Sequence, residues 1–108
     1  TKLHGTATPI NDLAETAALG AVIPKVTPAA SLKGLIGHTL GAAGAIETVM
    51  ALDAMEAGLC PGTAGLTKVD TQIDVTIQRD SQPAKLDHVL CNAFGFGGSN
   101  CALILSAR

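Results

Sequence analysis

Tryptophan and tyrosine are absent from this sequence, and phenylalanine occurs only as Phe94 and Phe96. Two aromatics so close together build neither a base-stacking platform for single strands nor an interfacial belt at a membrane. An excess of one charge is missing too: seven Lys plus Arg face nine Asp plus Glu, for a net charge of −2. Without a basic run to follow a phosphate backbone, nucleic acid is not an expected partner. No stretch reaches the roughly 18 consecutive apolar residues of a membrane span, and no charged start followed by an apolar core marks a secretory signal. The three cysteines, Cys60, Cys91 and Cys101, are odd in number and lack CxxC spacing, which argues against a disulfide framework and a structural zinc site. A reducing, cytosolic setting fits them best, with no membrane and no metal.

What is present is a chain of 108 residues, 47% of them hydrophobic, which makes about one globular domain over 1–108. It opens at Thr1 and reads as a piece cut from something longer. Residues 1–10 (TKLHGTATPI) hold no helical period, and Pro9 pushes Thr8 out of the helical region, so a loop carrying His4 is expected. Asn11 as N-cap, with Asp12 and Glu15 complementing the dipole in the first turn, predicts a helix over 11–19 that ends at Gly20. Residues 21–26 (AVIPKV) suggest a strand at an edge, because Pro24 removes a ladder donor. SLKGLIGH (31–38) reads as a loop punctuated by Gly34 and Gly37.

The segment 40–57 (LGAAGAIETVMALDAMEA) is rich in strong helix formers and stops at Gly58, so it predicts the longest helix. Its polar positions scatter around the wheel and its first turns carry almost no bulk, which points to a largely buried helix. IDVTI (73–77) alternates as a half-exposed strand does. Two further strands are expected at 87–93 and 101–106, joined by FGFGGSN; the second is apolar on both faces and so reads as central. The sum is an α/β layering that leaves apolar surface in want of a partner.

Three histidines offer chemistry. His88, beside Asp87 in an expected strand, reads as structural. His4 lies among Gly5, Thr6 and Thr8, small residues that let a ligand approach, and spacing leaves it open between site and loop packing. His38 stands just ahead of the long helix, whose positive end disfavours an imidazolium; a neutral ring there could donate N–H to a developing oxyanion. Lys33 could hold that ring or a nearby acid, or be a solvated amine. In FGFGGSN the glycines Gly95, Gly97 and Gly98 permit positive φ, so the loop could present main-chain N–H groups to an oxyanion or let a Phe swing. A phosphate loop is improbable, since a strand follows it and no P-loop lysine is present. A tight hairpin with core aromatics is the plain alternative.

Taken together, three segments resemble the C-terminal part of the β-ketoacyl-acyl carrier protein synthases, the elongating condensing enzymes of fatty acid and polyketide synthesis. HGTATPINDLAE (4–15) is similar to that family's HGTxTxxND/GD stretch, SLKGLIGHTLGAAGAIE (31–47) to its lysine-to-GHxxGAAG segment, and NAFGFGGSN (92–100) to its NSFGFGGTN. The resemblance implies a thiolase-like fold, a five-layered αβαβα sandwich of two similar halves, with this chain most of the second. It implies that His4 and His38 polarise the malonyl thioester carbonyl during decarboxylation, and that Lys33 organises the second histidine and nearby acids. Phe96 would be the gating phenylalanine and Phe94 its neighbour. Gly97 and Gly98 would let the loop move, with the Phe96 N–H completing an oxyanion hole. Glu47 and Asn92 match a buried polar or cation-binding cluster.

The departures are specific. Cys91 stands where the family usually has Ser, and Ala7 and Ser99 where it often has Thr. Lys2 stands where the family has Asn, and could itself supply the positive charge of a bound cation. No cysteine here has the helix N-terminus that activates a nucleophilic thiol, so the chain alone is expected to be inactive. What the family implies for the intact enzyme is a decarboxylative Claisen condensation without an organic cofactor. Its partners would be acyl carrier protein, the N-terminal half and a second copy, all in the cytoplasm. Two rivals remain. One is a non-catalytic partner subunit of the chain-length-factor type, against which the joint retention of His4, Lys33 and His38 speaks. The other is a free-standing α/β binding module.

Overall fold

The computed structural model describes residues 1–108. The first helix, α1, runs Pro9–Val22 with Thr8 as its extended N-cap. Proline is favoured at the first helical position because its missing N–H would be unpaired there anyway, so the helix begins two residues before Asn11. It also continues through Gly20, where a Cβ would lie 3.5 Å from Val75 Cγ1. A helical glycine costs only about 1 kcal/mol, and burial of Leu19 against Leu3 and Ala29 holds this turn in place. The strand expected at 21–26 therefore does not form: Ala21 and Val22 finish the helix and Pro24 opens a turn closed by the Thr27 N–H at 2.9 Å.

Residues 31–38 are not wholly a loop either. Lys33–Ile36 forms a single helical turn, α2. Gly34 belongs there because a Cβ at that position would sit 2.1 Å from the Ala64 carbonyl oxygen. After His38 a 3₁₀ turn, Leu40–Ala42, leads into α3, Ala43–Glu56, and Gly58 at φ +63 carries the chain away. The helix buries one seam, Ala43, Glu47, Ala51 and Ala54, a 4-4-3 spacing. Ile46, Val49 and Leu52 lie exposed on its other face, so the fuller burial expected of this helix is not provided within the chain.

Two short strands, β1 (Leu59–Cys60) and β2 (Gln82–Pro83), pair antiparallel, which places Cys60 in a strand. The longer hairpin pairs β3 (His88–Phe94) with β4 (Asn100–Ser106) in full antiparallel register, closed by the 3₁₀ turn Phe96–Gly98. On the other side of β3 the sheet continues raggedly in parallel single-residue bridges, Cys91 to Lys2, Lys2 to Ala30, and Ala29 to Ile77. Ile77 is all that pairs of the strand expected at 73–77, because a turn bonded from Ile73 N–H to the Asp70 carbonyl takes up its start. β4 is an outer strand paired only with β3, contrary to its expected central place, and Ile104 is 68% exposed.

Only 19 of the 108 residues are buried, a thin core for so apolar a composition. One cluster joins Leu3, Leu19 and Ala29; the other joins Ala51, Val89 and Cys91. No helix is long and apolar enough to cross a membrane.

Candidate active site

Lys2 donates its backbone N–H to Leu90 and accepts from the Asn92 N–H, which threads residues 1–3 along β3 and delivers His4 to its end. Glu15, one turn further into α1 and 2% exposed, then takes both next amides on one carboxylate: His4 N–H at 2.7 Å and Gly5 N–H at 2.9 Å. Gly5 has φ +47, and a Cβ there would meet Ser31 Cβ at 2.6 Å, so the bend admits only glycine. The same carboxylate accepts from Asn92 Nδ2 at 3.1 Å. His4 is thus a buried ring on an immobilised backbone.

His38 is exposed and approaches from the turn between α2 and α3. Its Nδ1 accepts the Leu40 N–H at 3.1 Å, which in a neutral ring places the proton on Nε2. Leu40 adopts φ +52 to aim that N–H. A branched side chain in the left-handed region costs roughly 1–2 kcal/mol, strain of the kind that collects at functional sites. The two imidazoles meet edge to face, with centroids 5.5 Å apart and planes at 82°. Phe94 packs against His4 at 5.4 Å. Nδ1 of His4 is buried without a hydrogen-bond partner.

Burial, and then the nearby Lys33 ammonium, pull the His4 pKa below the usual imidazole value, with Glu15 opposing them. His4 is therefore uncharged at neutral pH. The unfolded chain takes up a proton at about pH 6.5, while the folded chain resists until lower pH. Stability gained from neutral His4 is complete above that value and declines as pH falls through it, with a limiting slope of about 1.4 kcal/mol per unit. Urea unfolding as a function of pH should show this acid-side decline, and His4→Gln should remove its share.

Behind the rings, Lys33 hydrogen-bonds the His4 carbonyl oxygen and reaches Glu47 Oε1 at 2.6 Å, while Lys2 reaches Glu47 Oε2 at 2.7 Å and hydrogen-bonds the Asn92 carbonyl oxygen. Glu47 is 1% exposed. Glu15, Lys33 and His38 also line an open cavity of about 490 Å³. Such a place suits an anionic or developing-anion ligand: the His38 ring lines it with the His4 ring behind, and two carboxylates and two ammonium groups have partners beneath them.

Residues 1–67 match the family described as beta-ketoacyl synthase, C-terminal domain. The chain belongs to this family. It is 42% identical to a putative polyketide beta-ketoacyl synthase 1 of Streptomyces cyaneus over 108 residues, covering 95% of this chain and 25% of that protein. It is 36% identical to the 3-oxoacyl-[acyl-carrier-protein] synthase 1 of Escherichia coli K12 over 104 residues, covering 94% and 26%. Among solved structures it superposes on a beta-ketoacyl synthase from Burkholderia phymatum STM815 with a TM-score of 0.91 at 34% identity, and on the ishigamide ketosynthase/chain length factor with 0.90 at 32%. Each covers 99% of this chain and 27% of the other. The fold is thus the thiolase-like α/β fold of the ketosynthases, and the chain spans about a quarter of the length of the relatives it matches.

Within this ketosynthase segment the structure brings His4, His38, Lys33, Glu47, Asn92 and Phe94 together. Of the two partners expected for Lys33 it takes the acid, Glu47, together with the His4 carbonyl, and makes no hydrogen bond to the His38 ring. Phe96 stands clear of the cluster, 95% exposed, on a turn where Gly97 and Gly98 have φ +76 and +86. Glu15 is the residue that sequence reasoning passed over. Reading it as a first-turn dipole partner hid its work, whereas a helix starting at Pro9 puts it on the inward face, toward the HG amides. Burial pushes the Cys91 thiol pKa up, away from the thiolate a nucleophile needs.

Proposed function

We propose that this chain supplies the decarboxylation half of a β-ketoacyl-acyl carrier protein synthase, which joins an acyl thioester to malonyl-acyl carrier protein in fatty acid or polyketide synthesis. The observation that carries the reading is the pair of imidazoles meeting 5.5 Å apart, His4 kept uncharged by burial and His38 with its Nδ1 occupied by the Leu40 N–H. As the bond from the malonyl α-carbon to its carboxylate breaks, carbon dioxide leaves and the electron pair moves into the thioester carbonyl. The enolate oxygen so formed takes N–H donors from His4 and His38, and preorganised donors of this kind act most strongly where charge appears. The α-carbon then attacks an acyl group held as a thioester on a cysteine outside this chain, and the thiolate leaves.

Phe96, exposed on its glycine-flanked turn, gates access to that cysteine, with its N–H in the oxyanion hole for the acyl group and Phe94 as the fixed neighbour. The exposed faces of α3 and β4 pack on the amino-terminal half of the synthase and support a dimer. The partner that brings substrate is acyl carrier protein. The three free thiols suit the cytoplasm.

The full-length protein, given acyl- and malonyl-acyl carrier protein, should release carbon dioxide and form the 3-oxoacyl product. Release that begins only when a second, cysteine-bearing synthase chain is added would make it the partner subunit instead. No release in either mixture would refute the reading.

A further inference from the structure

The ketosynthase resemblance associates the Glu47 and Asn92 positions with a bound monovalent cation, and the donors present here do not fit one. Both Glu47 oxygens are taken, Oε2 by Lys2 and Oε1 by Lys33, and the Asn92 carbonyl oxygen accepts from Lys2 as well. Asn92 Nδ2 is itself a donor, turned to Glu15. Charge gives the same answer. Lys2, Lys33, Glu15 and Glu47 sum to zero in a cluster whose members are almost wholly buried. An added inorganic cation would leave one uncompensated positive charge away from water, which is unfavourable.

We propose that the Lys2 ammonium is a tethered monovalent cation: it holds Glu47 and the Asn92 carbonyl together in place of a dissociable ion. The β3 end, α3 and the His4 segment are thereby assembled without sodium or potassium. This inference stands on the cluster geometry and not on the reaction, so its test reads stability.

Thermal midpoints of the full-length protein are compared in sodium, potassium and choline chloride at equal ionic strength, choline being too large for such a cluster. The unaltered protein should melt alike in all three. Lys2→Asn, which removes the ammonium and offers an oxygen ligand, should melt lower in choline and recover in sodium or potassium. Lys2→Met, which offers no ligand, should melt lower in every salt. A midpoint of the unaltered protein that falls in choline overturns the proposal whatever the variants do, and so does a Lys2→Met protein as stable as the original.

Discussion

Malonyl decarboxylation by the full-length synthase should fall by about 10²–10³-fold on His38→Ala or His4→Ala, the scale on which single oxyanion donors act. Transfer of an acyl group to the enzyme's cysteine should suffer much less. The reason is the way in which each ring is held. His38 has Nδ1 committed to the Leu40 N–H, so Nε2–H is the group available to substrate. His4 is held by Glu15 through its backbone, and its neutrality follows from burial beside Lys33. In the proposed reaction acyl loading builds charge on a different carbonyl, so it should not depend on either ring. His38 is exposed, so its truncation disturbs little packing; His4 is buried, and its variant needs a stability measurement alongside. Radiolabelled carbon dioxide release and cysteine acylation, measured on the same preparations, separate the two half-reactions. Equal loss of both would contradict these roles.

Glu47→Gln should destabilise the protein by about 3–5 kcal/mol, the range for removing one partner of a buried ion pair. Here the carboxylate is shared by two ammonium groups, at 2.7 and 2.6 Å, on side chains only 4% and 7% exposed. The change keeps volume and shape, so cavity formation adds little. Combining it with Lys2→Met should recover part of the loss, because the charge left stranded by the first substitution is removed by the second. A coupling of roughly 0.5–3 kcal/mol is the usual span for groups in direct contact. Urea unfolding of the two single variants and the double variant measures it. A Glu47→Gln loss below about 1 kcal/mol would place the pair among ordinary solvated ones.

The parts of the site that were legible in the sequence are those carried by rare residue types in punctuated loops. His4, His38, Lys33 and the glycine run around Phe96 stand out because glycine and histidine are informative where helices and strands are not. Glu15 was not legible, because an acid near a helix start has a sufficient local explanation and its longer-range partners are backbone amides, which carry no letter. The end of α1 lies beyond Gly20, which looks like a stop signal, because burial of Leu19 outweighs one helical glycine. The sheet beyond β3 was invisible for another reason: Lys2, Ala29, Ala30 and Ile77 pair one residue at a time, too briefly for an alternating pattern. The apolar run of β4 did announce a strand, but its second neighbour is not supplied by these residues.

The bond from the Leu40 amide to His38 sets a limit on what that imidazole can do. Turning Nδ1 toward a ligand would mean giving up its main-chain anchor and releasing a backbone held at φ +52. The ring is held as a fixed dipole with one nitrogen to offer, and the proposed loss of a neutral gas, with an enolate left behind, asks for one donor at this position.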